Sequence, residues 1–213
     1  MEADVLKTSL YLIRHAEVEE NYHRVFGGRL DIGLSDRGEL QATRLAEWLS
    51  RVQFDATYAS PLKRVQRTFA PAVTAGLPSP VLLPDLREVD FGDWTGLGWE
   101  EVNHRFGVSA YDWLRVLERG GFPNGECGVR LRLRIEECLQ QILRDQAGRT
   151  VAVFAHGGVI RMLITLLLEL PLNATERFDV DYAGVTWLEV GGIKGGRART
   201  EIRLMNYTPW RDG

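Results

Sequence analysis

The sequence predicts an α/β fold: a three-layer αβα sandwich with a mainly parallel central sheet, helices on both faces and a small helical lid insertion. Two observations predict it. Short apolar runs of strand-forming residues recur along the chain, and amphipathic helical patterns separate them. A length of 213 residues suits one domain. We therefore predict a single domain over 1–213, with the lid at approximately 85–128.

The first predicted strand and helix lie in the first quarter of the chain. Ser9–Ile13 is an apolar run typical of a buried strand, and a polar, glycine-bearing loop follows it. Ser35 is the predicted N-cap of a helix. Apolar residues then recur at helical spacing as far as Val52, with charged residues between them.

A second strand, a second helix and a third short strand follow. Asp55–Ala59 is the strand, and Pro61 suits the first turn of the helix after it. Gly76 is expected to end that helix. The third strand lies near Val81–Leu83, between two prolines.

The segment Asp85–Gly128 departs from this alternation. It is rich in glycine and in large aromatic residues, and we interpret it as short helices that cover part of the molecule. Its aromatic residues are Phe91, Trp94, Trp99, Phe106, Tyr111, Trp113 and Phe122.

The last part of the chain returns to regular elements. Arg130–Gln146 has a helical pattern, and Val151–Ala155 is a buried strand. A strongly apolar helix extends from there to about Leu170. Ala183–Val190 and Arg199–Met205 alternate like two antiparallel or edge strands.

Composition excludes several classes of function. The formal charge is −3, from 26 Lys and Arg against 29 Asp and Glu, so we expect no nucleic-acid partner. No apolar helix is long enough to cross a membrane. Two cysteines, Cys127 and Cys138, and an acidic N-terminus at Met1–Asp4 favour a cytoplasmic protein. The sequence is compatible with a homodimer.

Cationic side chains follow three of the predicted strands. Arg14 and His15 come directly after the first, the segment Ser60–Arg64 after the second, and His156 with Gly157 after the fourth. In α/β sheets, ligands bind beyond the carboxyl ends of the strands. A compact cationic pocket in an acidic protein predicts a small anion as ligand, most simply a phosphoryl group.

This set of residues suggests phosphoryl transfer without a metal. A histidine can attack phosphorus, neighbouring arginines disfavour its protonation, and they hold the phosphoryl oxygens in place of a metal. Metal-ligand spacing is absent, so we expect neither a metal nor a cofactor. The alternatives are ordinary: a histidine after a strand can be a loop residue, and Arg14 alone can be a surface ion-pair partner.

Five segments follow one another along the chain in a recognisable order. The first is Leu12–Glu17 with Asn21, and the others are Gly28–Ser35 with Gly38, Ser60–Thr68, Leu86–Gly96 and Ala155–Arg161. In order and spacing, these segments resemble the motifs of the histidine phosphatase (phosphoglycerate mutase-like) superfamily.

The resemblance implies a role for each matching residue. His15 would be the nucleophile that becomes phosphohistidine, and Glu88 would be the general acid and then the general base. The phosphoryl oxygens would be held by Arg14, Asn21, Arg64 and His156, with backbone N–H donors from the Gly157 turn. Glu88 has an alternative as an ion-pair partner of Arg87 or Arg64.

Two positions depart from the family pattern. Ala16 stands where the family usually has glycine, and it restricts the backbone after the nucleophile. Val18 stands where the family usually has threonine, so a hydroxyl donor is missing. Both departures are expected to weaken turnover.

The segment around Glu88 resembles the phosphatase branch, and α-ribazole phosphatase-like enzymes in particular. It reads Glu88-Val89-Asp90-Phe91-Gly92, and Trp99-Glu100-Glu101 follows. The resemblance implies a metal-independent phosphomonoesterase of the histidine acid phosphatase type that acts on a small phosphorylated metabolite. Two alternatives stay open: a phosphoglycerate mutase-type phosphoryl transfer, and a catalytically weak module that binds a phospho-ligand or a protein.

Overall fold

The computed structural model describes residues 7–194 and 197–212. Its strands are β1 (Thr8–Arg14), β2 (Ala56–Ala59), β3 (Val81–Leu82), β4 (Thr150–Ala155), β5 (Val185–Lys194) and β6 (Arg197–Tyr207). Its α-helices are α1 (Asp36–Leu49), α2 (Lys63–Thr74), α3 (Trp99–Phe106), α4 (Trp113–Arg119), α5 (Gly128–Asp145), α6 (Gly157–Leu168) and α7 (Pro209–Asp212). Short 3-10 turns connect several of them, including Glu20–Tyr22 and Leu172–Arg177.

The strands form one sheet in the order β3-β2-β4-β1-β5-β6. The first four are parallel, whereas β5 pairs antiparallel with β1 and β6 antiparallel with β5. This confirms the mainly parallel sheet and the antiparallel tail. Since β4 lies between β1 and β2, with Arg14 opposite Ala155 and Ala59 opposite Phe154, the carboxyl ends of these three strands are adjacent.

Helices cover both faces of the sheet, as predicted. Leu10 and Leu12 of β1 point to the face where buried residues of α5 and α6 pack. Tyr11 and Ile13 point to the opposite face, against α1 and α2. This alternation follows from the two-residue repeat of a strand, and it produces the three layers.

Most predicted helix ends lie within two or three residues of the observed ones. Ser35 is the N-cap of α1, and its Oγ accepts a hydrogen bond from the backbone N–H of Gly38 at 3.0 Å. Helix α2 begins at Lys63 with Leu62 as the N-cap, so Pro61 lies just before the helix and not in its first turn. Helix α6 ends before Glu169, whose φ of 54° is left-handed, so the helix stops short of the predicted end.

The lid segment packs against the helical layer that contains α5 and α6. It forms α3, α4 and 3-10 turns, and Trp94, 1% exposed, packs in the same core as Leu131 of α5. Buried aromatic residues of this segment, such as Trp94, therefore form the core that joins the lid to α5. Arg134 of α5 anchors it further: the guanidinium pairs with Glu126 at 2.6 Å and donates to the carbonyl of Arg87 at 2.8 Å.

The structure leaves two expectations untested. The single domain over 1–213 stays a prediction, and the acidic N-terminal segment Met1–Asp4 lies outside the described residues. Within the part of the chain that the structure describes, no helix is both long and apolar enough to cross a membrane.

Candidate active site

The carboxyl ends of β1, β4 and β2 bring the predicted residues together. The backbone N–H of His15 donates to Ala155 at 3.0 Å, and its carbonyl accepts from Ala183 at 3.1 Å. His156 directly follows β4, and Ser60 directly follows β2. Because β4 is the middle strand of the three, His156 lies between His15 and Ser60.

The imidazole of His15 carries its proton on Nδ1 and leaves Nε2 with a lone pair. Arg64 donates from Nε to His15 Nε2 at 3.3 Å, so this nitrogen is an acceptor. The other ring nitrogen, Nδ1, lies 2.8 Å from the carbonyl of Ala16, which can only accept. An unprotonated Nε2 beside a guanidinium is the arrangement that a nucleophile at phosphorus needs.

Burial and positive neighbours keep His15 neutral. They hold the pKa of His15 well below its usual value, with burial as the largest cause, followed by the charges of Arg64 and Arg14. The sequence suggested the arginines as the cause; burial contributes more because the ring is only 5% exposed.

Arg64 is fixed by the loop that follows the nucleophile segment. Its Nη1 donates to the carbonyl of Leu30 at 2.8 Å and its Nη2 to the carbonyl of Gly28 at 2.7 Å. Burial is the main cause that lowers the pKa of Arg64 to about 10, so the guanidinium stays charged at neutral pH. The charge is 3% exposed and is held in place before any ligand arrives.

Arg14 presents a buried donor with no partner. Its Nη1 donates to the carbonyl of Val180 at 2.5 Å, and its guanidinium carbon lies 4.1 Å from the centre of the Tyr182 ring. Its Nε has no hydrogen-bond partner among the described residues. Gly157, the first residue of α6, adjoins it: a Cβ there would lie 3.7 Å from Arg14 Nε.

His156 is the most deeply buried of the predicted residues. It is 0% exposed, and its ring centre lies 5.2 Å from that of His15. Its Nε2 lies 2.8 Å from Ser60 Oγ, whereas Nδ1 has no hydrogen-bond partner within the described residues. Burial, followed by the charge of Arg64, holds the pKa of His156 well below its usual value.

Glu88 faces the same site from the lid segment. Its Oε1 accepts from the backbone N–H of Val89 at 2.9 Å, and its Oε2 accepts from the backbone N–H of Gly158 at 3.2 Å. Gly158 lies in the first turn of α6, where the helix dipole favours a negative charge. Backbone donors therefore hold this carboxylate, rather than Arg87 or Arg64.

Four of these groups line a cavity of about 160 Å³, whereas His156 is not one of its lining residues. His15, Arg14, Arg64 and Glu88 line its polar side, together with Tyr182. The lid contributes Phe91, Trp99, Ala110 and Trp113 to the wall, and the loop after β1 contributes most of the rest. A second cavity, of about 420 Å³, shares Trp99 and Ala110 with the first, so the two are neighbours.

The other predicted residues lie around this centre in different ways. Asn21 is exposed in a 3-10 turn and is not one of the residues that line the cavity. Val18 does line it. Ala16 is 0% exposed and its φ is not positive, so the backbone accommodates its methyl group.

Sequence reasoning gave no role to two residues at this centre. Ser60 was visible as part of a segment after a strand, but its partner lies 96 positions away. Tyr182 lies 5.6 Å from the His15 ring, centre to centre. Tyr182 is followed by Ala183, whose φ of 51° is left-handed. Because this residue is not a glycine, the sequence does not indicate the turn.

The arrangement can bind and transfer a phosphoryl group. It combines an unprotonated imidazole nitrogen, two guanidinium groups and a carboxylate around one small cavity. Within residues 7–194 and 197–212, no group of three or more His, Cys, Asp or Glu side chains is arranged to hold a metal ion. Arg14 and Arg64 line the cavity with positive charge, which is complementary to a phosphoryl group.

Comparison with known proteins agrees with this chemistry. The sequence model of the histidine phosphatase superfamily (branch 1) matches residues 10–202. The chain is 32% identical over 174 residues to phosphoserine phosphatase 1 of Hydrogenobacter thermophilus, covering 82% of each. It is 31% identical over 173 residues to the adenosylcobalamin/α-ribazole phosphatase of Escherichia coli, covering 81% of this chain and 85% of the relative. The structure of mycobacterial glucosyl-3-phosphoglycerate phosphatase in complex with VO3 aligns with a TM-score of 0.82 at 25% identity, covering 93% of this chain and 98% of that one.

Proposed function

The chain belongs to the histidine phosphatase superfamily (branch 1), and we propose that it is a phosphomonoesterase of the histidine acid phosphatase type. It hydrolyses a small phosphorylated metabolite through a phosphohistidine on His15, without a metal or another cofactor. Its relatives include phosphatases named for phosphoserine and for α-ribazole. Those names supply the first substrates to test.

One observation carries the proposal: His15, whose Nε2 accepts from Arg64, lines a cavity together with a carboxylate and the guanidinium groups of Arg14 and Arg64. A buried imidazole with a lowered pKa remains a nucleophile in mildly acidic solution. Arg64 Nε, 3.3 Å from the attacking nitrogen, would move onto a phosphoryl oxygen as that nitrogen becomes bonded to phosphorus. The guanidinium would then neutralise charge where it develops.

In the first half-reaction, His15 Nε2 attacks phosphorus as the bond from phosphorus to the ester oxygen breaks. Glu88 enters this step protonated and gives its proton to the departing alkoxide. The phosphoryl oxygens are bound by Arg14, Arg64 and His156, with the backbone N–H of Gly157 at the start of α6. Asn21, exposed outside the cavity, would have to turn inward to join them. The products of this step are the free alcohol and phosphohistidine.

In the second half-reaction, water replaces the alcohol. Glu88, now ionised, removes a proton from the water as its oxygen attacks phosphorus, and the bond between phosphorus and Nε2 breaks. Inorganic phosphate leaves and His15 returns to its neutral form. The two backbone N–H groups that hold Glu88 keep the carboxylate at one place for both steps.

The leaving group is expected to extend from the phosphate site into the second cavity. Trp99 lines both cavities, and Tyr111 packs against it with ring centres 5.0 Å apart. Arg24, whose guanidinium carbon lies 5.9 Å from the centre of the Trp99 ring, adds a positive charge. Selectivity among phosphomonoesters would therefore reside in the lid.

A panel of phosphomonoesters, assayed for released phosphate, tests the proposal. It should contain phosphoserine, phosphosugars, phosphoglycerates, nucleotide monophosphates and p-nitrophenyl phosphate. We expect hydrolysis that withstands EDTA and that is lost in His15→Ala but kept in the matched control His104→Ala, an exposed histidine on α3. Transfer to an acceptor without free phosphate would indicate a mutase. Binding of phosphate with no turnover of any ester would indicate the weak binding module.

A further inference from the structure

His156 has one ring nitrogen with a partner and one without. The middle position of β4 places the side chain beside Ser60, which follows the neighbouring strand β2. Ser60 Oγ lies 2.8 Å from His156 Nε2, and both residues are 0% exposed. Water therefore cannot substitute for either member of this pair.

The contacts of Ser60 indicate which atom of the pair donates. Ser60 Oγ already accepts from the backbone N–H of Leu62 at 3.4 Å. Its own hydrogen needs an acceptor, and within the described residues the group in reach is His156 Nε2. If Nε2 carried the ring proton instead, the buried hydroxyl hydrogen would have no acceptor, which is costly.

The two histidines of the site are thus held in the same tautomer for opposite purposes. Arg64 donates to Nε2 of His15, and Ser60 donates to Nε2 of His156. For His15, the lone pair on Nε2 is the reactive group. For His156, the remaining proton lies on Nδ1, the nitrogen without a partner in the described chain.

We propose that Ser60 is a positioning residue that fixes the proton of His156 on Nδ1, so that this nitrogen donates a hydrogen bond to a phosphoryl oxygen. The inference rests on the proposed function, because the acceptor is the phosphoryl group of the substrate or of phosphohistidine. No bond is broken and no proton is transferred by Ser60. The hydrogen bond from Ser60 keeps the neutral imidazole of His156 in the form that donates from Nδ1.

The burial of both residues explains why a hydroxyl is needed. A neutral imidazole in water exchanges its proton between the two nitrogens. In the wild-type protein, the hydroxyl of Ser60 stabilises the form with the proton on Nδ1, since only in that form does the hydroxyl hydrogen have Nε2 as an acceptor. Without the hydroxyl, neither tautomer is favoured by a hydrogen bond at Nε2, and the anion site loses a donor that was ready before binding.

The tautomer can be measured directly in the protein without substrate. Long-range 1H–15N spectra of protein labelled with 15N-histidine show which ring nitrogen is protonated, and His156→Gln identifies the signals among the four histidines. We expect His156 to be neutral, with its proton on Nδ1, in the wild type. Ser60→Ala should lose this preference, and Ser60→Thr, which keeps the hydroxyl, should restore it.

Anion binding supplies the second measurement. Titration with inorganic phosphate should show a Kd about tenfold higher in Ser60→Ala, the size expected when one hydrogen bond to a charged group is lost. Thr57→Val is the matched control, because Thr57 lies on β2, the strand that Ser60 follows, is 1% exposed, and its hydroxyl has no hydrogen-bond partner among the described residues. It should leave the tautomer and the Kd unchanged.

A wild-type spectrum with the proton of His156 on Nε2 would overturn the proposal, even if Ser60→Ala fails to fold. An unchanged tautomer and Kd in folded Ser60→Ala would overturn it too. These outcomes are separate from those of the proposed function, since the tautomer is read without substrate. An enzyme that hydrolyses no ester can still show the Nδ1–H form, and an active phosphatase can lack it.

Discussion

Gly158 donates its backbone N–H to Glu88 Oε2 at 3.2 Å, and a Cβ at Gly158 would lie 2.6 Å from the other carboxylate oxygen. The start of α6 thus supports the carboxylate and leaves no room for a side chain beside it. We predict that Gly158→Ala displaces Glu88 and lowers kcat by at least about tenfold, since general acid–base catalysis depends on the position of the group. Steady-state kinetics with a phosphomonoester of poor leaving group measures the loss.

The matched control is Gly98→Ala, assayed with an ester too small to reach the second cavity, because Gly98 lines that cavity. Gly98 precedes α3, and a Cβ there would be 4.0 Å from its nearest neighbour, the carbonyl oxygen of Arg24. Its φ of −71° suits any residue. An effect of Gly158→Ala no larger than that of Gly98→Ala would show that the placement of Glu88 does not depend on the glycine.

Val18 lines the cavity at the position where the family usually has threonine. Val18→Thr keeps the shape of the side chain and adds a donor. Because a hydrogen bond to a charged group contributes about 1.5 kcal/mol or more, we predict a rise in kcat/KM of about tenfold.

Ala16→Gly separates the two departures from the family pattern. Ala16 is fully buried and has an ordinary backbone conformation, so the glycine is expected to lower stability by about 0.4–1 kcal/mol without a gain in kcat/KM. Equal gains in both variants, or none in Val18→Thr, would contradict this account of the departures.

The sequence predicted the sheet and the convergence of the site because both follow from local patterns. Apolar runs set β1 and β4, and the rule for strand ends then places His15 near His156. It could not show that β4 lies between β1 and β2, since strand order is not written in any local pattern, and so the contact of His156 with Ser60 was missed. The position of Tyr182 depends on the left-handed Ala183, which propensity alone does not predict.

The two buried histidines should make stability depend on pH. In the folded protein the pKa values of His15 and His156 lie well below 6.5, whereas in the unfolded chain they are near 6.5. As the pH falls below that value, the unfolded chain takes up protons that the folded protein does not, so the free energy of unfolding decreases. Each histidine contributes up to about 1.4 kcal/mol per pH unit.

Urea unfolding between pH 7 and pH 5 in phosphate-free buffer measures this dependence. His156→Gln should reduce the slope with pH, and His104→Gln, at an exposed position, should not. A slope unaffected by His156→Gln would mean that the buried imidazole is already protonated in the folded protein.

The lid aromatics should control the leaving group and not the chemistry. Tyr111 is 75% exposed, lines the second cavity but not the first, and packs against Trp99. We predict that Tyr111→Ala raises KM for the best extended substrate of the panel by about threefold to tenfold, since one aromatic contact contributes about 0.5–1.5 kcal/mol. Its kcat/KM for p-nitrophenyl phosphate should change by less than about twofold.

Arg105→Ala is the control for this prediction, because Arg105 lies on α3, pairs with Glu101 and lines neither cavity. If Tyr111→Ala lowered kcat/KM equally for large and small esters, the substitution would be acting on the fold of the lid and not on contact with the leaving group.

The central claim is that the phosphoryl group becomes bonded to His15. Glu88→Gln offered p-nitrophenyl phosphate is the sharpest way to see it, because this leaving group needs no proton while the water step still needs a base. Rapid quenching at alkaline pH, followed by peptide mass spectrometry, should find one phosphoryl group on the peptide that contains His15, and none in Glu88→Gln/His15→Ala. A phosphoryl group on another residue, or rapid hydrolysis by His15→Ala, would contradict the account.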